Sequence, residues 1–438
     1  MIQLSDIPMM NRRQVLRTMA AAAGCALVPR GMAIAGEPWK ASREDETFLD
    51  DLERQGCLFF WEQSSPNTGQ ILDRARNDLT GARDPRRMAS IASTGFGLTA
   101  LCIADHRGYL PHAQIVERVK TTLEWHLNSL PEVHGFFYHF TDIETGKRFQ
   151  GAELSSIDTS LLLCGILAAR AYFKDARIQS LAQQIYERVD WPWMLNGGKT
   201  FSMGWQPDTG FLDGRWKTYC ELMMIYLLAI GSPSHGMAPE YWNNFTRPVI
   251  HFKGYNYISG NDPIFTHQYS QAWYDFRGKR DAYADYFENS VTATRAHKAF
   301  CLSYPKWYSE DYWGITASDY AGGYTAWGGP PAQGPLDGTV VPSAAAGSLA
   351  FLPAECLSVL RAMRSKWGKQ AWGRYGFVDA FHPSANWYDP DVLGIDQGIS
   401  VLMAENLRTG LVWSTFMRNP ECRNAMQLVG FKAEGSAG

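Results

Sequence analysis

The chain lacks most of the signatures that identify an enzyme at a glance. It has no phosphate-binding P-loop, no GxGxxG after a strand, no HExxH and no credible GxSxG elbow. Its eight cysteines include no CxxC pair and no Cys/His spacing suited to zinc. No long run of one charge occurs, and 41 Lys+Arg against 44 Asp+Glu give a formal net charge of −3. The absence of a basic stripe argues against a nucleic-acid partner and favours a neutral, hydrogen-bonding ligand. Low-complexity linkers and abrupt shifts in composition are missing too. With 45% hydrophobic and 19% charged residues, the 438 positions read as one large globular core.

Aromatic residues are what the chain has in excess: 13%, with 16 Trp. Several Trp fall in Gly/Pro/Asp-rich loops instead of apolar helical runs, among them Trp205, Trp216, Trp313, Trp327 and Trp387. Flat rings on loops suit a carbohydrate cleft. The start of the chain reads as an address. Arg12-Arg13, a short apolar run and Ala33-Ile34-Ala35 form, in order, a twin-arginine export signal with a small-residue cleavage site. Residues 1–35 are therefore expected to be removed, leaving a single domain over 36–438 in the periplasm or secreted. The apolar run is too short and too polar to stay as a membrane anchor. Cys25 leaves with the signal, and the remaining seven cysteines, lying in or beside apolar patterns, are expected to be buried free thiols.

Apolar spacing predicts helices over 46–63, 90–107, 112–129, 156–173, 177–189, 218–230, 265–277, 281–300, 343–365, 378–382 with the loop after it, and 396–417. Over 156–173 the apolar residues spread to all faces, so that helix is expected to be buried. Alternation of period two is rare, and only Phe136–Phe140 and Lys199–Trp205 read as short strands. About a dozen helices separated by long aromatic loops suit a toroid of inner and outer helices, an all-α (α/α)6 barrel with a cleft at one end. A two-layer helical bundle remains open at this level.

Four segments carry chemistry. Gly135–Asp158 (GFFYHFTDIETGKRFQGAELSSID) places Asp142, Glu144, Glu153 and Asp158 among aromatics and runs into an apolar helix. Paired carboxylates beside ring platforms are what glycosidic-bond cleavage requires, one to protonate the leaving oxygen and one to activate water. The second segment, GWQPDTGFLDGRWKTYCELMMIYLLAIGSPSH, puts Tyr219 and Glu221 at the head of a nearly wholly apolar helix. Desolvation there would raise the pKa of Glu221 and suit a general acid, although a carboxylate interacting with the helix dipole explains it as well. The third, DPIFTHQYSQAWYDFRGKRD, sets His267, Gln268 and Trp273 at helical spacing as a sugar-binding face, with Asp275 and Arg277 as a structural ion pair. The fourth, HPSANWYDPDVLGIDQGISVLMAENLRTG, holds Trp387 and Asp396. Asp396 suits either a helix cap or a water-activating base in a hydratable, glycine-flanked loop. Asp319, in WGITASDYAGGYTAWG, and Trp313 just before it complete the candidates.

Together YHFTDIETGKRF…AELSSIDTSLLL, ELMMIYLLAIGSPSH, FTHQYSQAWYDFRGKRD, WGITASD and GIDQG…ENLRTGLVW resemble the glucoamylase-like bacterial proteins. These are similar to glycoside hydrolase family 144, the bacterial β-1,2-glucanases. The resemblance runs from about residue 46 to 420. It implies an (α/α)6 barrel, export, no metal or other cofactor, and inverting hydrolysis of β-1,2-linked glucan or its oligosaccharides. By the same resemblance Glu221 is the general acid, Asp396 the base, and Glu153 a further acid of the cleft. Cys220-Glu221-Leu222 departs from the Asn-Glu-Tyr type of sequence around the family's acid, which bears on the substrate contacts. A transglycosylase using the same cleft and a non-catalytic glycan-binding protein are the competing readings.

Overall fold

The computed structural model describes residues 40–433 except 80 and 331–335, so the twin-arginine motif and its cleavage site lie outside the described residues. Along the rest, two kinds of helix alternate. α1 (Arg43–Glu62) starts at a Ser42 capping box and buries one face through Phe48, Leu49, Leu52 and Phe59. α2 (Ile91–Arg107) is buried on every face from Ile91 to Ala104. α3 (His112–Asn128) is one-sided again, and α4 (Ser156–Tyr172) is buried from Ser156 to Ala169, as its all-round apolar pattern predicts. α5 (Ala176–Glu187) buries Ile178, Leu181, Ala182, Ile185 and Tyr186, a three-and-four spacing that leaves its other face wet. The alternation lapses at α6 (Met223–Gly231) and α7 (Tyr269–Trp273), the latter with the 3₁₀ turn Ile264–His267 before it, which are both buried. α8 (Tyr286–Cys301) is one-sided, α9 (Pro342–Ala346) buried, and α10 (Pro353–Ala371) one-sided. α11 (Gly394–Arg408) is buried from Asp396 to Asn406. α12 (Leu411–Phe416) and α13 (Pro420–Leu428) close the chain.

Helices account for 47% of the described residues, and the strands among them are two to four residues long and confined to loops. The buried helices owe their stability to one another. Leu161, Leu162, Leu163, Ile166 and Leu167 of α4 are wholly covered, and each contributes about 1.5–3 kcal/mol by leaving water. α2 and α4 meet backbone to backbone. A Cβ on Gly95 would lie 2.3 Å from the Leu161 carbonyl oxygen, and one on Gly165 only 2.0 Å from that of Gly95. No other residue fits at either position.

Three expectations need correction. The helix predicted over 343–365 is two helices, because Pro353 cannot continue a helix and opens a new one. That over 396–417 is broken at Gly410, whose φ of 69° is left-handed. Residues 378–382 are not helical: Phe381–His382 pairs antiparallel with Trp387–Tyr388. The seven described cysteines are all buried and free, as expected.

The segments entering the buried helices touch in a closed circuit. Ser90, before α2, pairs with Phe140, and the His139 N–H donates to the Glu153 carbonyl just ahead of α4. Trp216 Nε1, before α6, donates to Ser156 Oγ at 2.8 Å. Tyr219 OH and His267 Nδ1 are 3.2 Å apart, and Gln268 Nε2 donates to the Ala344 carbonyl. Ser343 reaches Asp396 in the first turn of α11, and the Gly394 N–H donates to Asp73 O, whose own N–H returns to Met88 before α2. The N-terminal ends of the buried helices thus share one end of the molecule, where their dipoles favour negative charge. At the other end, half-buried Arg107 and Arg408 join the buried Glu405 and Glu53, with Arg408 also on Glu46. Burial and then the Glu405 charge push the Glu53 carboxyl up to about 8.

Candidate active site

Three clusters of carboxyls line that circuit. The first stands at the head of α4. The β-bridge from Tyr138 to Leu154 holds His139 over the turn, stacked on Phe140 with ring centroids 3.8 Å apart. His139 Nδ1 lies 3.1 Å from Glu153 Oε1, and its Nε2 lies 3.5 Å from Asp158 Oδ2. Ser155 caps α4 by accepting from the Asp158 N–H, and its hydroxyl donates to the Asp158 carboxylate. Trp205 pairs with Leu154 across the neighbouring strand and is half-buried. Trp216 is buried with its N–H spent on Ser156.

The second cluster precedes α6. Glu221, expected one turn inside the helix, sits in the turn just before it, because α6 begins only at Met223. It is 2% exposed, and its carbonyl accepts from Ser270 Oγ at 2.7 Å, tying it to α7. Asp262 is its electrostatic partner. Burial and then the Glu221 charge raise the Asp262 carboxyl to about 7, and Asp262 Oδ1 is buried without a donor. His267 and Tyr219 flank this pair. His267 is held neutral, its pKa pushed down to about 3 by burial and by His297.

The third cluster gathers Asp319, Asp379, Asp389 and Asp396 ahead of α9 and α11. Asp396 accepts from Ser343 Oγ at 2.9 Å. It lies within the first turn of its helix instead of capping it, and at 5% exposure it is not in a hydratable loop. Burial, then the charges of Asp396, Asp319 and Asp389, raise the Asp379 carboxyl well above its usual range. Arg74 Nη1 donates to Asp319 Oδ2 at 2.5 Å.

The remaining expected residues are held elsewhere. Arg87 grips Asp142 with two bonds of 2.6 Å and keeps its pKa well below the usual range, while Asp142 also accepts from the Thr145 N–H. Gln268 spends its amide on Ala344 and Ser348, and Trp273 donates to Thr99 at 2.9 Å within the core against Phe96. Trp313 is buried, whereas Trp387 is half-buried in the hairpin beyond Asp379. Asp275 and Arg277 form the expected ion pair, at 2.9 Å.

Sequence reasoning missed His139, Arg74, Asp262, Asp379 and Asp389. His139 stood inside a quoted segment without a role. Asp379 and Asp389 share part of the mark that singled out Asp319, an aspartate set among aromatic residues (YGFVDAF, NWYDPD).

Comparison with known proteins bears out the resemblance. Residues 213–420 match the model of a family described as putative glucoamylase. An exo β-1,2-glucooligosaccharide sophorohydrolase (non-reducing end) of Parabacteroides distasonis is 28% identical over an alignment of 433 positions that covers 88% of this chain and 58% of that protein. The chain thus spans little more than half the length of that relative. A crystal structure of a putative glucoamylase from Bacteroides uniformis superposes with a TM-score of 0.83 at 27% identity, covering 90% of this chain and 99% of the other. An endo-β-1,2-glucanase from Chitinophaga pinensis, bound to sophorotriose and glucose, gives 0.81 at 29% identity, covering 88% and 98%.

Proposed function

We propose that this chain, similar over most of its length to the glucoamylase-like proteins and the β-1,2-glucanases, is an exported glycoside hydrolase. Its substrate would be β-1,2-linked glucan or derived oligosaccharides, cleaved with inversion on an (α/α)6 toroid. The observation that carries this reading is the gathering of carboxyls at the N-terminal ends of the buried helices, in a fold whose relatives cleave such glucans. Six buried helices, α2, α4, α6, α7, α9 and α11, whose N-terminal ends form a closed circuit, suit the inner ring of such a toroid.

Glu221 is the proton donor in this scheme. It is desolvated at 2% exposure, and Asp262 beside it, its carboxyl raised to about 7 by burial and then by the Glu221 charge, holds the pair's proton and can pass it on. Asp396 is the base, oriented by Ser343. Inversion needs a water between base and sugar, so the carboxyls, or a proton relay from one of them, must leave room for it. Half-buried Trp205 and Trp387 offer the ring faces for sugar.

A panel of α- and β-linked glucans, with products resolved by size and anomer, tests the reading. Release of α-anomeric products from β-1,2-glucan alone is expected. Transfer products without hydrolysis would make the chain a transglycosylase, and binding without products a glycan-binding protein. Export rests on Arg12-Arg13. With both changed to Lys the precursor should remain in the cytoplasm, and mature protein outside the inner membrane would refute that route.

A further inference from the structure

We propose that Asp319, Asp379 and Asp389 form a calcium site that braces the loops leading into α9 and α11. One carboxylate oxygen from each of the three lies within 4.8 Å of the others. The residues are far apart in sequence, and each has an anchor. Asp379 Oδ2 accepts from the Asp319 N–H at 2.8 Å, Asp389 Oδ1 from the Asp391 N–H at 3.0 Å, and Asp319 Oδ2 from Arg74. These anchors fix one oxygen of each carboxyl group.

The remaining oxygens of two of these groups are the independent sign of a ligand. Asp379 Oδ1 and Asp389 Oδ2 are buried with no N–H or O–H donor, on residues 3% and 5% exposed. A buried carboxylate oxygen without a donor costs several kcal/mol unless a cation or a proton meets it. Among the described residues the only ion pair to these three carboxylates is that of Arg74 with Asp319. Fully ionised, the group therefore keeps two net negative charges in a mostly buried space, the charge a divalent cation would neutralise.

The donor set and its spread select among cations. Carboxylate oxygens are hard ligands suited to calcium or magnesium, and no thiol or imidazole takes part. Oxygens within 4.8 Å of one another can share a cation with bonds of about 2.4 Å, the calcium range, whose flexible shell accepts irregular carboxylate geometry more readily than the octahedral shell of magnesium. Water would supply the rest of the shell. The ion would pin the strand Ala317–Tyr320 to both sides of the 381–388 hairpin, fixing the wall beside Asp396. This inference does not depend on the substrate proposed above.

The test uses the full chain after EDTA treatment and exhaustive dialysis. Calorimetric titration with CaCl₂ should show one site per chain. Melting temperature should rise by several degrees in 1 mM CaCl₂, and less in equal MgCl₂. Asp389→Asn and Asp379→Asn should abolish the heat and the shift. Should those variants fail to fold, Tb³⁺ can be added to the unaltered protein. Trp327, which donates to Ser318 beside Asp319, should sensitise its emission, and calcium should quench it by displacement. Absence of calcium binding at millimolar concentration, or undiminished binding in folded Asp389→Asn, overturns the site. A rise in melting temperature of calcium-free Asp389→Asn, with no calcium binding in the parent, would show that protons alone hold the cluster.

Discussion

Glu221 shows how much one position can be read before a structure exists. Its place at the head of an apolar run marked it as a desolvated acid, and it is nearly sealed. Glu221→Gln and Asp396→Asn should each lower turnover by about 10²-fold or more with the fold intact by circular dichroism. Near-normal turnover of Asp396→Asn would move the search for the base to Glu153 and Asp158. What the spacing could not show was company. Asp262 lies more than 40 positions from Glu221 in the chain, and only the packing of the turn before α6 against the Ile264–His267 segment makes them neighbours. That pairing has a measurable sign. A carboxyl raised to about 7 in the native state keeps a proton that the unfolded chain loses near 4, so its contribution to stability is present at low pH and is lost between about pH 4 and 7. Asp262→Asn should flatten the fall in melting temperature over that interval. An unchanged slope would mean that Asp262 does not hold the proton.

Elements were legible where the pattern was long. α2 to α5 fall within three residues of their predicted ends, because their apolar spacing runs uninterrupted for three or more turns. Errors came where one residue overrides a periodic run: Pro353, Gly410, and the hairpin at 381–388 in which Asn386 adopts a positive φ. Crossing geometry was not legible at all. Gly95 and Gly165 look like helix-weakening residues, yet they allow α2 and α4 to touch along their backbones. Gly165→Ala, favourable by helix propensity by about 0.8–1 kcal/mol, should instead destabilise by about 1–3 kcal/mol or more, since the new methyl meets backbone that cannot move aside. Denaturant melts decide the sign. A stabilised variant would show that the helices can separate freely.

At the scale of the whole molecule, the first and last buried layers are stitched at the end away from the carboxyl clusters. Arg408 of α11 meets Glu46 and Glu53 of α1, while Arg107 of α2 meets Glu405. Removing one partner of a buried ion network strands the others, and Arg408→Ala should cost about 3–5 kcal/mol. Its chemical melt checks this, and a loss below 1 kcal/mol would mark the network as solvent-screened. The sequence announced neither this network, whose partners stand near opposite ends of the chain, nor the circuit opposite it, which is closed by the bond from Gly394 to Asp73.

The covering of α2 by α11 also sets an order of events during synthesis. Gly398 rests on Phe96, whose ring a Cβ there would meet at 2.3 Å, so that face of α2 waits for a helix made about 300 residues later. Until residues 394–408 leave the ribosome, the apolar wall built early has no partner, and loop-closure entropy opposes any early substitute. Nascent chains stalled near residue 390 should therefore carry holdase chaperones that chains released at full length have shed.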